Sequence, residues 1–527
     1  MRTLLLGTFG TITLISAPLS WAAAPTANND FRTISVGASV TINALNNDSD
    51  PDGDLIRIVS IGQPRVGTAT LREQDSAVVY TAPADFKGQV TLTYTLEDIP
   101  NASTQTAPQQ TTGTIVVNVV AFAGSSAGSN QQSIGQALVK SCDFLDSADS
   151  NSLAQGQQEL KQRCAGLVYL QINNPNGLDE VVRQISPEET LALAKAATGA
   201  TEAVSAALGK RLNSIGGGGS SFTLNGQQWQ QQTTGGAAGD DLRNSPWSLF
   251  ATAQIETADK DRTLAENGFS YSANSLLVGL DYQLTANWVI GLAGGFGKND
   301  MDFLNADGSV KTDTQSAIFY NLINFDAVSW DVQLGMSDSS YDINRRIHYT
   351  DTQANVWNSQ ASTSGQQIFA NTSLQYQFSY KALSLYPSIK LGMTQSTLDA
   401  YGENNIGGYE VSIGEQKEEQ TKIDLGLQGQ YALNFSWGVL IPTAGANFIS
   451  QTSSSKDPVT GTFAYGPLSQ SAFVMTPEEF DSSYYQVSLG TSAVFPNGFS
   501  AFITAQQTLG YENFSSQQFS IGGRLEL

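Results

Sequence analysis

The chain has 527 residues, with 26 basic side chains against 48 acidic ones, for a net charge of −22. That balance argues against nucleic acid, which is bound through dense lysine and arginine, and a single histidine leaves little for acid–base chemistry. Beyond the N-terminus no apolar run approaches the ~20 residues of a membrane-spanning helix, so any crossing of a membrane falls to strands.

Residues 1–22 read as a secretory signal: Arg2 gives a thin positive start, Leu4 to Leu19 the apolar run, and Ser20-Trp21-Ala22 small residues before a cleavage point. Residues 25–122 then alternate in seven short runs, at 33–36, 40–42, 55–61, 68–71, 77–81, 89–96 and 114–120, separated by turn-rich segments. Seven short strands in about 100 residues is the pattern of an immunoglobulin-like sandwich. Asp48, Asp50, Asp52 and Gly53 match the first half of an EF-hand loop, but the bidentate acid required at position 12 is Val59. A looser calcium site on Asp48, Asp50, Asp52 and Asp54 stays open beside the plainer reading of a solvated acidic turn; no other cofactor is expected.

Residues 131–215 change to helical character. Gln132–Leu145 and Ala154–Tyr169 carry Cys142 and Cys164, the whole cysteine complement. In an exported protein two cysteines suggest one disulfide, closing a loop of 23 residues. Such a closure is worth roughly 3 kcal/mol. Ser186-Pro187-Glu188-Glu189 has the form of a capping box with proline at the first helical position. It opens an alanine-rich segment that runs through Lys210-Arg211-Leu212-Asn213 to the glycines at 216–219. At 1.5 Å per residue about 28 helical residues span roughly 42 Å, slim enough to thread a narrow pore. The alternative keeps this helix with the clamped hairpin and threads the pore with the glycine-rich linker 216–245.

Residues 247–527 read as twelve amphipathic strands. From Thr421, the residues Ile423, Leu425, Leu427, Gly429 and Tyr431 face one way, against Lys422, Asp424, Gly426, Gln428 and Gln430. From Leu383, the residues Leu385, Pro387, Ile389, Leu391 and Met393 oppose Ser384, Tyr386, Ser388 and Lys390, and from Leu276 the apolar positions oppose Asp281 and Gln283. Charge on the inner face suits a wet lumen, and closure satisfies every backbone group without an edge. Connections alternate long (257–269, 298–311, 338–365, 397–417, 451–481) and short (285–286, near 326, 381, 433–435, 496–497). Short turns face the periplasm, so strand one starts there and Leu527 ends there. Trp247, Tyr282, Trp288, Trp330, Tyr376, Tyr380, Trp437 and Phe495 sit near strand ends as an interfacial girdle. The fold expected is mainly β: a C-terminal 12-stranded antiparallel transmembrane barrel, an N-terminal sandwich, and a helical connection.

Several stretches resemble known families. Leu45-Asn46-Asn47-Asp48-Ser49-Asp50-Pro51-Asp52-Gly53-Asp54 and Phe86-Lys87-Gly88 resemble bacterial cadherin-like and immunoglobulin-like surface domains. Gly279-Leu280-Asp281-Tyr282, Asn287-Trp288-Val289-Ile290-Gly291, Tyr341 to Arg346, Ser436 to Pro442 and Ile521 to Leu527 resemble the translocator of monomeric autotransporters of type V secretion, from residue 131 onward. The resemblance implies an outer-membrane barrel, inserted by periplasmic chaperones and the barrel-assembly machinery, that helps its own N-terminal passenger to the surface of a Gram-negative bacterium. It implies a terminal assembly signal at Ser520, Gly522, Leu525 and Leu527, where Leu527 replaces the usual aromatic residue. Some relatives cut themselves in the pore at an asparagine; Asn213 lies nearby without a motif match, so an intact chain is expected.

No enzyme is expected, because His348, in the 338–365 loop, has no partner set resembling a hydrolytic triad. The expected partners are outer-membrane lipid, the assembly factors and an unidentified surface ligand, the chain itself remaining a monomer. Adhesion or interaction through the sandwich is the leading reading. The alternative is a pore, or activity through the acidic outer loops, with the sandwich as a periplasmic spacer.

Overall fold

The computed structural model describes residues 23–72, 74, 76–100, 107–124, 127–193, 199, 204–205, 208–209, 221–224, 227–230, 246–304, 308–453, 458–478, 481–496 and 498–526. Residues 1–22, read above as a secretory signal, Asn213, Leu527 and most of the linker 216–245 lie outside these residues. The chain divides into two units, Met1–Val120 and Ala121–Leu527.

The first unit is a sandwich of seven strands. Asp30–Ser35, Gln110–Val120, Gly88–Ile99 and Leu55–Ile61 form one sheet in that order; Ser39–Ile42, Ala77–Thr81 and Thr68–Arg72 form the other. Alternate residues turn inward, so Ile34, Val40, Ile58, Val78, Leu92, Leu96, Ile115 and Val117 share one core. The first strand pairs in parallel with the last, Asp30 opposite Ile115 through Ser35 opposite Val120.

In the second unit twelve antiparallel strands close into a barrel: β1 Trp247–Lys260, β2 Phe269–Thr285, β3 Trp288–Phe303, β4 Ser309–Phe325, β5 Val328–Thr350, β6 Ala354–Tyr376, β7 Leu383–Leu398, β8 Gln416–Tyr431, β9 Gly438–Ser453, β10 Ser483–Val494, β11 Phe499–Leu509 and β12 Phe514–Glu526. The seam joins β1 to β12, from Ser248 opposite Glu526 to Lys260 opposite Phe514. Every backbone ladder is thereby continued and no edge meets lipid. Ile423, Leu425, Leu427 and Tyr431 face outward, while Lys422 and Asp424 line the lumen. Trp247 packs edge-on to Tyr282, and Phe435 stacks on Trp437, which meets Phe495 at a tilt, all on the short-turn rim. Among the described residues no helix is long and apolar enough to cross a membrane.

Two of the expected long loops are mostly strand. The 298–311 connection narrows to 304–308, and the 338–365 connection to a turn at 351–353, because β5 and β6 stay paired over their full lengths. The reason is an inversion of faces. On β5 the outward residues Trp330, Leu334 and Met336 give way to Asp338, Ser340, Asp342, Arg346 and His348, while the inward ones become Tyr341, Ile343, Ile347 and Tyr349. On β3 the apolar outward run ends at Phe296, followed by Lys298, Asp300 and Asp302. Above this level the strands stand in water and enclose an apolar interior.

Leu427→Arg, at the middle of the outward apolar run of β8, is expected to cost roughly 2–4 kcal/mol of barrel stability. This would appear as a lower urea midpoint for folding into lipid vesicles. Gln428→Arg on the lumen face should leave the midpoint nearly unchanged.

Candidate functional site

The lumen is occupied. Helical backbone begins again at residue 189, and the described residues Val204 and Leu208 belong to one buried cluster with Phe250, Leu277, Val289, Ala293, Ile318, Tyr320, Leu322 and Phe369 of β1 to β6. Ser205 donates to Gln333 Oε1 (3.1 Å) and accepts from Asn371 Nδ2 (2.6 Å). The wall is shaped to take these contacts: Tyr320 lies across Gly291 of β3, where any Cβ would fall 2.2 Å from its ring. Its described residues Val204, Ser205 and Leu208 meet side chains of β1 to β6. Beside them a cavity of about 400 Å³ is lined by Lys390, Asp424, Gln451, Tyr484, Gln506 and Gln518 of β7 to β12 and by Glu256, Tyr271, Asn299 and Asn371 of β1, β2, β3 and β6.

Three helices, α1 Ser129–Ser147, α2 Gln155–Asn173 and α3 Pro175–Ile185, precede the lumen helix and build a cap into the long-loop mouth. Sequence reading stops the second helix at Tyr169 and misses α3, since Asn173-Asn174-Pro175-Asn176-Gly177 looks like a turn. The break is one residue, Asn174, and Pro175 opens α3 where a missing N–H costs nothing. Cys142 and Cys164, both buried, form the disulfide that ties α1 to α2. Asn130 of α1 bonds Ala265 O (2.8 Å) and Thr476 N (2.8 Å) on two different loops. Arg163 of α2 stacks over Trp357 at 4.3 Å and donates to Asn355 Oδ1 (3.1 Å) on β6. The outer loops supply a four-stranded sheet of Tyr401–Gly402, Val411–Ile413, Val459–Phe463 and Ala472–Met475. The cap is thus made jointly of upstream chain and barrel loops.

Arg345 of β5 holds the junction. Its side chain is 1% exposed and grips Glu403 with two nitrogens, Nε to Oε1 at 2.7 Å and Nη2 to Oε2. Nη1 donates to Ile185 O (2.7 Å) and Gln184 O (3.3 Å), the open carbonyls at the end of α3. The link from α3 to the lumen helix is equally buried, and the expected capping box is not made. Ser186 N–H donates back to Val182 O (2.9 Å) and Arg183 O (3.2 Å), and its hydroxyl turns to Met475 Sδ. Glu189 lies instead near Arg345, with no donor beyond its own amide. Burial and the charge of Glu189 raise Glu188 from 4.5 to about 8, with Arg183 opposing; burial raises Glu189 from 4.5 to about 7 against the opposing charge of Arg345.

Comparison with known proteins adds a family. Residues 249–506 match the autotransporter β-domain, and residues 22–123 match the bacterial Ig domain. The barrel is an autotransporter β-domain. Among solved structures the chain is similar to the translocator domain of autotransporter NalP from Neisseria meningitidis, at 15% identity and TM-score 0.42, covering 55% of this chain and 91% of that one. It is also similar to the β domain of the Bordetella autotransporter Brka (12%, TM-score 0.38, 54% and 100%) and the transport unit of AIDA-I from Escherichia coli (9%, TM-score 0.35, 54% and 91%). No match was found among curated proteins.

In the autotransporter β-domain, Ser520, Gly522 and Leu525 lie on the closing strand β12, Ser520 buried on the lumen side and Leu525 outward; Leu527 lies outside the described residues. His348 is on the outward, water-facing side of β5 between Arg346 and Thr350. In the Ig domain the aspartates of the expected calcium site are engaged in holding their turn. Asp48 accepts from Tyr94 Oη (2.7 Å) and Asn28 N (2.7 Å), Asp50 from the amides of Asp52 and Asp54, and Asp52 from Ala23 N. Among the described residues no group of three or more His, Cys, Asp or Glu is arranged to hold a metal ion. Sequence reading missed a different pair: burial and the charge of Asp48 raise Asp30 from 3.8 to about 7.

Arg345→Met should destabilise the cap by about 3–5 kcal/mol, since it leaves Glu403 buried without its cation. Urea unfolding followed by tryptophan fluorescence would read this loss, and Arg345→Met with Glu403→Met should recover part of it. Deleting 187–245 should raise single-channel conductance several-fold over the full-length protein in planar bilayers.

Proposed function

We propose that this chain is a surface-display protein. The barrel anchors it in the outer membrane and helps carry its own N-terminal part across, and the Ig domain is held outside as an adhesion or interaction element. The observation that carries this reading is the direction of the chain around the lumen helix. Its upstream end is continuous with α1 to α3, packed among the long loops, while Val204 and Leu208 reach Phe250 and Leu322, near the short-turn rim where β1 begins. Long loops face the exterior in such barrels, so a cap that α1 to α3 build together with those loops supports export of the chain through this mouth. The carboxylate-rich turn from Asp48 to Asp54 of the Ig domain is compatible with a cationic or neutral ligand.

Proteinase K on intact cells, with an antibody against residues 25–122, tests the reading. Loss of the epitope without permeabilisation is expected, together with its absence from the surface in a truncation lacking β12. Protection until the outer membrane is opened would overturn display and leave the pore reading.

A further inference from the structure

The segment Ser186 to Glu189 joins the cap to the lumen helix, and every element of the mouth meets there. Glu188 is faced by Gln131 of α1, which donates to it, by Arg183 of α3, by Glu266 of the β1–β2 loop and by Glu189 itself. Glu189 is faced by Arg345 of β5, by Glu403 and Tyr401 of the β7–β8 loop and by Arg183, and it packs beside Gly308 at the β3–β4 turn. The surrounding cations are largely committed elsewhere. Arg345 grips Glu403, Arg183 pairs with Glu180 and donates to Asn267 Oδ1 (2.7 Å), and Lys260 bridges Glu266 and Glu478 at 3.2 Å each. Both glutamates are 2% exposed, and Glu188 Oε2 and both oxygens of Glu189 are buried without a donor from another residue. An ionised carboxylate so placed is costly; a neutral one is tolerated.

We infer that Glu188 and Glu189 form a proton-operated latch: neutral, they keep the link buried and the cap seated on the mouth, and ionised, they draw the link into water and release the cap from the barrel loops. The place of the link gives this its reach, since withdrawing four residues unseats α3 from Arg345 and the lumen helix from its upper anchor together. Folded, the pair keeps its protons up to about pH 7 to 8; exposed, it would lose them near 4.5. The hold is therefore complete below pH 4.5 and is lost as pH rises through 7 and 8. The latch does not depend on what the Ig domain binds or on whether it is displayed.

The test uses the full-length protein in lipid, carrying spin labels at Asn176→Cys, in the first turn of α3, and Asp326→Cys, on a short turn. Inter-label distance and bilayer conductance are followed from pH 5.5 to 9. One narrow distance and low conductance are expected at pH 5.5. Above a midpoint between 7 and 8 a broadened distance and at least a threefold rise in conductance are expected, while Glu188→Gln with Glu189→Gln should stay in the acid form throughout. No change in the wild type, or an unaltered transition in the double variant, overturns the latch. Should the double variant fail to assemble, Glu189→Gln alone decides: a shifted or shrunken transition supports the latch, an unchanged one rejects it.

Discussion

A strand that runs from hydrocarbon into water must exchange the roles of its two faces, and much of the second unit follows from that exchange. Backbone pairing continues without a break across the boundary, because the ladder from Val328 opposite Tyr376 to Thr350 opposite Ala354 serves both solvents. Only the side chains change. On β5, below Met336, the strand shows apolar groups to lipid and Asp331 and Gln333 to the lumen; above it the inward residues turn apolar from Tyr341 and helices cover them. The cap needs no separate scaffold, since the barrel's own strands supply its floor. The hydrophobic effect therefore acts inward at the mouth, in water, while closure of the ladder secures the part within lipid.

How far the sequence reveals this depends on how local the cause is. The barrel strands are legible at 383–393 and 421–431 because each residue there faces one of two fixed solvents, which prints a period of two. The outer halves of β5 and β6 are hidden by the same rule: once outward residues become polar and inward ones apolar, the stretch 338–365 reads as loop. Asn173 to Gly177 hides α3, since turn-forming residues also suit a one-residue helix break. Ser186 to Glu189 deceives for a third reason. Its local capping motif is outcompeted by partners distant in the chain, Arg345 among them, that no spacing rule can locate. The acidic turn of the Ig domain hides its contacts in the same way, since Asp48 meets the distant Tyr94 while Asp50 holds the local amides of Asp52 and Asp54.

The cap is also where this chain tolerates its most costly electrostatics. A buried ion pair rarely adds net stability over a well-packed apolar substitute, although breaking one is expensive. Arg345 with Glu403 gives geometric definition in return, because a planar guanidinium fixes the end of α3, the β7–β8 loop and β5 in one register. The disulfide acts differently, restraining α1 and α2 even when the loops around them are open.

Around the described residues of the lumen helix the wall has a packed patch and a wet one. In the packed patch, around Val204 and Leu208, side-chain volumes are interlocked, as where Tyr320 fills the space above Gly291, so drift there is confined to compensated changes in close-packed material. In the wet patch, which draws on β7 to β12 and also on Glu256, Tyr271, Asn299 and Asn371, inward positions look onto about 400 Å³ of space among lysines, glutamines and acids, where one polar residue replaces another at little cost. Divergence among close relatives of this chain should therefore accumulate around the cavity and spare the packed patch, leaving in their sequences the outline of the helix contact.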